Sequence, residues 1–209
     1  MFETTTAADS YSPRRVVIVH GYGASPDAHW FPWLAETAGR AGIEVEAVRL
    51  PDPESPDAAA WEGAVGRAVG VPDEATWIVA HSLGGITTLR LLAGLPGCWR
   101  LGGLLLVAGF TRRLPALPAL DPYLATDVDV APLIGRIGVR AVIRSDADEL
   151  VPAAASDALA QRLEAELHLQ PGAGHFLAED GVTSLPIVAA LMRIGAESRN
   201  EADRYRRPA

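Results

Sequence analysis

Thr76-Trp77-Ile78-Val79-Ala80-His81-Ser82-Leu83-Gly84-Gly85-Ile86 changes character in its middle. Up to Ala80 the run is apolar and unalternating, the pattern of a strand covered on both faces. From Leu83 to Leu95 the spacing becomes amphipathic and helical. A strand that turns at once into a helix leaves the corner residue strained, with its side chain exposed. Small residues two before and two after the corner let the elements cross closely. Here the corner is Ser82 and the small residues are Ala80 and Gly84, with alanine where glycine is usual. The backbone N–H of Leu83 would then start the helix and point at a developing oxyanion. The same letters also suit an ordinary serine N-cap. The strand before them and the glycine pair after them favour the nucleophile.

Similar apolar runs recur on either side. Arg15–His20, Ile43–Leu50, Leu104–Ala108 and Val139–Ile143 read as further strands, and the alternating Glu166–Gln170 as a short edge strand. Amphipathic segments lie between them at Trp30–Ala41, Asp57–Val69, Ala153–Leu163 and Gly181–Ile194. This alternation predicts an α/β fold, a doubly wound and mostly parallel sheet of about six strands with helices on both faces. Right-handed crossovers gather the C-terminal strand ends, and any ligand site, along one edge. Residues 111–137 break the pattern with several Pro and Asp, and predict an irregular excursion or small cap over that edge. Exposed leucine clusters within it are candidates for dimerisation or ligand binding.

Composition narrows the classes. With 209 residues, 49% of them hydrophobic, the chain suits one well-buried core, expected over residues 15–195. A flexible N-terminal segment is expected over 1–14 and a polar tail over 196–209. A net charge of −8, with no basic run interleaved with aromatics, excludes nucleic acid as a partner. A single cysteine, Cys98, excludes an intramolecular disulfide framework and a cysteine-based metal cluster. No secretory leader pattern is visible, and every apolar stretch is interrupted before about 18 residues, so neither export nor a membrane partner is expected. The expected location is cytoplasmic.

A serine hydroxyl needs a base within reach to act as a nucleophile. His175, in the glycine-rich Gly172-Ala173-Gly174-His175-Phe176 after the sixth strand, is placed to be that base. The acid that orients it should follow the fifth strand, where Asp146 and Asp148 both stand. Asp148 is preferred because Asp-x-apolar-Val-Pro runs from it to Pro152, which opens the next helix; Asp146 is the rival. After the first strand, His20-Gly21-Tyr22-Gly23 could supply a second oxyanion donor, the N–H of Tyr22, or serve only as a tight turn. Gly21, Trp30 and His81 are the candidates for substrate contact. His20, His29, His81 and His168 lack metal-ligand spacing and read as structural or supporting residues. No metal, nucleotide or other cofactor is expected.

With these motifs in place the chain resembles the retinoblastoma-binding protein 9 family of small serine hydrolases, which includes the bacterial YdeN-like proteins. The resemblance spans roughly residues 16–192 and rests on the order Ser82, Asp148, His175, which is that of α/β-hydrolases. It also rests on His29-Trp30-Phe31-Pro32-Trp33, on Leu50-Pro51-Asp52-Pro53 and on Trp61. Trp30 and Trp33 also fit a plainer role, packing their helix onto the sheet. The resemblance implies a compact α/β-hydrolase core without a large lid, strand order 2-1-3-4-5-6, and esterase-like activity on small acyl substrates. Two features depart from it: only Gly21-Tyr22-Gly23-Ala24 represents the glycine-rich stretch, and the animal protein's L-x-C-x-E motif is absent. The function expected is hydrolysis of a small carboxylic ester or related acyl bond through a Ser82 acyl-enzyme. The alternative is a non-catalytic binding or scaffold protein on the same fold with a vestigial triad.

Overall fold

The computed structural model describes residues 12–194. The expected polar tail, and the N-terminal segment before residue 12, lie outside the described residues. Strand β1 (Arg15–Val19) leads through a loop to helix α1 (Phe31–Arg40), then to β2 (Glu44–Val48) and α2 (Ala58–Val69). Strand β3 (Thr76–His81) passes directly into α3 (Leu83–Gly94), and β4 (Leu101–Val107) follows. Next come a short 3-10 turn (Pro118–Leu120), α4 (Ala131–Ile134), β5 (Ile137–Arg144), α5 (Ala153–Leu163), β6 (Glu166–Leu169) and α6 (Pro186–Leu191).

All six strands join one sheet in the order β2-β1-β3-β4-β5-β6, and every neighbouring pair is parallel. The unalternating runs are those buried on both faces, with β3 and β4 buried at every position. On one face Val17, Val19, Ile78, Leu104, Leu106 and Val142 pack beneath α2, α3, α4 and α5. On the other, Val16, Ile18, Val79, Leu105 and Ile143 pack beneath α1 and α6. The period of two along each strand thus feeds two cores at once.

Most boundaries agree with the expected ones within a few residues. Helix α6 is the exception: it begins at Pro186 rather than near Gly181. A proline confines the residue before it to extended backbone, and Leu185 sits at φ −138° and ψ 75°. Residues 111–136 carry only the 3-10 turn and four-residue α4, so no large lid covers the described residues. The expectation of exposed leucine clusters there is corrected. Leu114, Leu120, Leu124 and Leu133 are buried in the core above α2 and α3. Arginines tie the excursion down: Arg90 donates to the carbonyl of Tyr123 at 2.9 Å, and Arg162 donates to Thr111 Oγ1 at 2.7 Å and Val128 O at 2.6 Å.

Candidate active site

The corner between β3 and α3 has the strain its sequence predicts. Ser82 sits at φ 53° and ψ −122°, a left-handed region that a residue with a Cβ rarely occupies. Its N–H donates to Val107 O at 2.9 Å, and its carbonyl accepts from Gly85 N at 2.9 Å, so the surrounding backbone holds the corner in place. Gly84 lets α3 pass this close to β1. A Cβ there would lie 2.4 Å from His20 O and 2.8 Å from Val19 O.

His175 arrives from the loop after β6. Its Nε2 lies 3.0 Å from Ser82 Oγ and its Nδ1 lies 2.8 Å from Asp148 Oδ2. The carboxylate can only accept, so Nδ1 carries the proton and Nε2 is free to take the proton of the serine hydroxyl. The Asp148–His175 pair is almost fully enclosed. Asp148 Oδ1 accepts the N–H groups of Leu150 and Val151, both at 2.9 Å, which fixes the carboxylate as α5 begins. Asp146, the rival acid, points elsewhere: its Oδ1 accepts Gly172 N–H at 2.7 Å.

The His175 loop is held mainly through its backbone. Asp180 Oδ2 accepts from His175 N at 2.8 Å and Leu177 N at 3.1 Å, and His29 Nδ1 accepts from Ala178 N at 3.1 Å. Phe176, fully buried, anchors the loop in the core beneath α1 and α6. The sequence marks His29 only as a structural or supporting residue, without its partner, and does not single out Asp180. An aspartate in a glycine-rich loop readily turns back onto nearby N–H groups, and that propensity was the only signal for Asp180.

The three candidates for substrate contact separate. Gly21 lies against the nucleophile: a Cβ added to it would be 3.0 Å from Ser82 Cβ. Trp30 has no exposed surface and packs against Phe31, as the plainer reading of it requires. His81 is also buried. Its ring Nε2 lies 2.9 Å from the carbonyl of His175. Burial, and secondarily the neighbouring His175, holds the His81 pKa well below the ordinary histidine value.

His20 braces the loop after β1. Its Nε2 accepts from Leu50 N at 3.2 Å, which requires Nδ1 to be the donor to Gly21 O, 2.9 Å away. One neutral ring therefore ties the exit of β2 to the loop after β1, and burial lowers its pKa. Among the described residues no group of three or more His, Cys, Asp or Glu side chains is placed to hold a metal ion. No helix among them is long and apolar enough to cross a membrane.

An all-parallel sheet in this strand order, with a strained serine corner between its third strand and third helix, makes the protein an α/β-hydrolase. Comparison with known proteins agrees: the serine hydrolase family matches residues 16–194, and the chain belongs to that family. YdeN of Bacillus subtilis (strain 168) is 39% identical over 175 residues, 84% of this chain and 92% of YdeN. The crystal structure of the B. subtilis ydeN gene product matches with a TM-score of 0.83 and 38% identity, covering 86% of this chain and 97% of that one. A yden-like protein of Pectobacterium atrosepticum shares the fold at a TM-score of 0.63 and 22% identity, over 90% and 93% of the two chains. So does a monoacylglycerol lipase of Paleococcus ferrophilus, at 0.62 and 18%, over 88% and 96%. The protein is a hydrolytic enzyme.

Proposed function

We propose that the protein hydrolyses a small carboxylic ester, or a related acyl bond, through an acyl-enzyme on Ser82. The observation that carries this reading is the unbroken line Ser82 Oγ, His175 Nε2, His175 Nδ1, Asp148 Oδ2, with steps of 3.0 and 2.8 Å at its two hydrogen bonds. His175 takes the Ser82 proton as Oγ attacks the acyl carbon, then returns it to the leaving group. It next deprotonates the water that attacks the acyl-enzyme and gives that proton to Ser82 Oγ as the acid leaves. Asp148 orients the ring and stabilises the imidazolium.

The oxyanion is received by two backbone donors. Leu83 N–H is one of the first-turn amides that a helix leaves without an internal acceptor. In the loop after β1, Gly23 N–H is engaged by Pro53 O and Ala24 N–H by Gly21 O, which supports Tyr22 N–H for the second role. Each such donor is worth about 3–4 kcal/mol of barrier. The short helical turns between β4 and β5 support a small acyl group as substrate; the location proposed is the cytoplasm, and no cofactor enters the scheme.

The test is covalent labelling by a fluorophosphonate probe, followed by a panel of p-nitrophenyl esters from acetate to laurate. Labelling of the wild type that is abolished in Ser82→Ala, with turnover of the short esters, supports the reading. A folded wild type that takes no label and turns over no ester would favour a scaffold with a vestigial triad.

A further inference from the structure

The residue before the nucleophile is buried beneath the loop that carries the base. The rings of His81 and His175 lie 4.9 Å apart at 49°, and His81 Nε2 is 2.9 Å from the His175 carbonyl. A carbonyl only accepts, so His81 must carry its proton on Nε2. Its Nδ1 then has a bare lone pair, and that atom is buried with no protein partner. Trp30, Phe31 and His29 surround the ring at centroid distances of 6.2, 5.9 and 6.0 Å. Among these neighbours a second proton would have no acceptor, so the ring stays neutral while His175 gains and loses its proton.

Two adjacent residues thus grip His175 at opposite ends. Ser82 meets its ring Nε2 at 3.0 Å, and His81 meets its main-chain oxygen at 2.9 Å. The strained corner fixes the direction of both side chains, so the position of the base is referred to the same short stretch of backbone that positions the nucleophile. Asp180 holds the N–H of the same residue, and with His81 it fixes both peptide planes flanking the His175 Cα. A base displaced by a fraction of an ångström loses attack geometry before it loses fold, so such a contact acts on turnover more than on substrate binding.

We propose that His81 is a positioning residue for the base, acting through one hydrogen bond from its Nε2–H to the His175 carbonyl. This rests on the proposed triad, and it goes further by giving a role in turnover to a side chain that touches no substrate. A glutamine places a carboxamide N–H near the position of Nε2, whereas phenylalanine keeps the ring shape without a donor.

The experiment compares His81→Phe and His81→Gln with the wild type and Ser82→Ala, reading fluorophosphonate labelling rate, kcat and KM on a short p-nitrophenyl ester, and Tm. In His81→Phe the labelling rate and kcat should fall together by roughly ten- to a hundredfold with KM nearly unchanged, the loss of one buried hydrogen bond. His81→Gln should recover most of that loss. A separate reading needs no substrate: long-range 15N NMR should show His81 as the neutral Nε2–H tautomer from pH 5 to 8. Wild-type kcat in a folded His81→Phe would overturn the proposal, as would an Nδ1–H tautomer or ordinary titration of His81. Failure of the wild type to label, with the expected tautomer in place, would instead overturn the Ser82 reading and with it any role of His81 in turnover.

Discussion

Asp146 Oδ1 accepts the N–H of Gly172 at 2.7 Å, binding the loop after β5 to the loop that carries the base. Two residues further on, Asp148 grips His175 itself. The two carboxylates share one loop and divide its work between backbone and ring, so they should fail differently. Asp148→Asn keeps the shape but favours the wrong tautomer of His175, and kcat on a short ester should fall about 1,000- to 10,000-fold. Asp146→Ala should lower kcat by less than about tenfold and cost about 0.5–1.5 kcal/mol of stability, as for the loss of one hydrogen bond at an exposed position. Equal losses of kcat in the two variants would contradict this division.

Gly84 is predicted to tolerate no side chain. Its Cβ would fall 2.4 Å from one carbonyl oxygen and 2.8 Å from another, both in the backbone that leads from β1 into the loop after it. Backbone cannot move aside as a flexible side chain can, so Gly84→Ala should cost about 1–3 kcal/mol. Chemical denaturation would measure this as a lower midpoint. Activity should fall as well, because the atoms displaced adjoin Gly21 and Tyr22.

This close approach was legible from the sequence because strand-to-helix corners need small residues at fixed offsets, and Ser82 and Gly84 stand at them. His175 and Asp148 were legible because a parallel sheet brings every C-terminal strand end to one edge, whatever the loops do. The contacts of the supporting residues were not. Asp180, His29 and His20 act on backbone N–H and C=O groups, and nothing in residue order says which main-chain atom a loop side chain will reach. Trp30 and His81 each carried two readings, substrate contact or structural support, and both side chains are buried; closeness in sequence to the site does not say which face of the chain a side chain takes. The leucines of residues 111–133 looked exposed because their spacing follows no helix or strand period, yet tertiary packing buries them.

Stability should fall on mild acidification. Burial lowers the pKa of His20, His29 and His81 in the folded protein below the ordinary value of about 6.5. Above that value both folded and unfolded chains hold these rings neutral, and their contribution is fully present. Below it the unfolded chain takes up protons first, so stability is lost as pH falls toward the folded pKa values. The fully buried His81 ring contributes a slope of up to about 1.4 kcal/mol per pH unit, and the more solvated His20 and His29 contribute less. Urea denaturation between pH 7.5 and 5 should show the decline, and His81→Gln should flatten it. A stability independent of pH over that range would mean the rings are ordinarily titrating.

Tyr123 gives the last test, on the excursion rather than the triad. Its hydroxyl lies 2.6 Å from Thr87 Oγ1, and Thr87 also donates to Leu83 O at 2.9 Å, at the first turn of the helix behind the nucleophile. Thr87 spends its proton on Leu83 O, so the Tyr123 hydroxyl must be the donor between the two. Burial pushes its pKa up to about 12. Tyr123→Phe removes that donor and leaves a buried oxygen of Thr87 with one fewer partner, for a cost of about 1–2 kcal/mol. The chain from Tyr123 through Thr87 to Leu83 O touches the turn whose first N–H is assigned to the oxyanion. The variant should therefore lower kcat by a few-fold while KM holds. A stability loss with kcat unchanged would make the contact purely one of packing, and would confine the excursion to closing the core above α3.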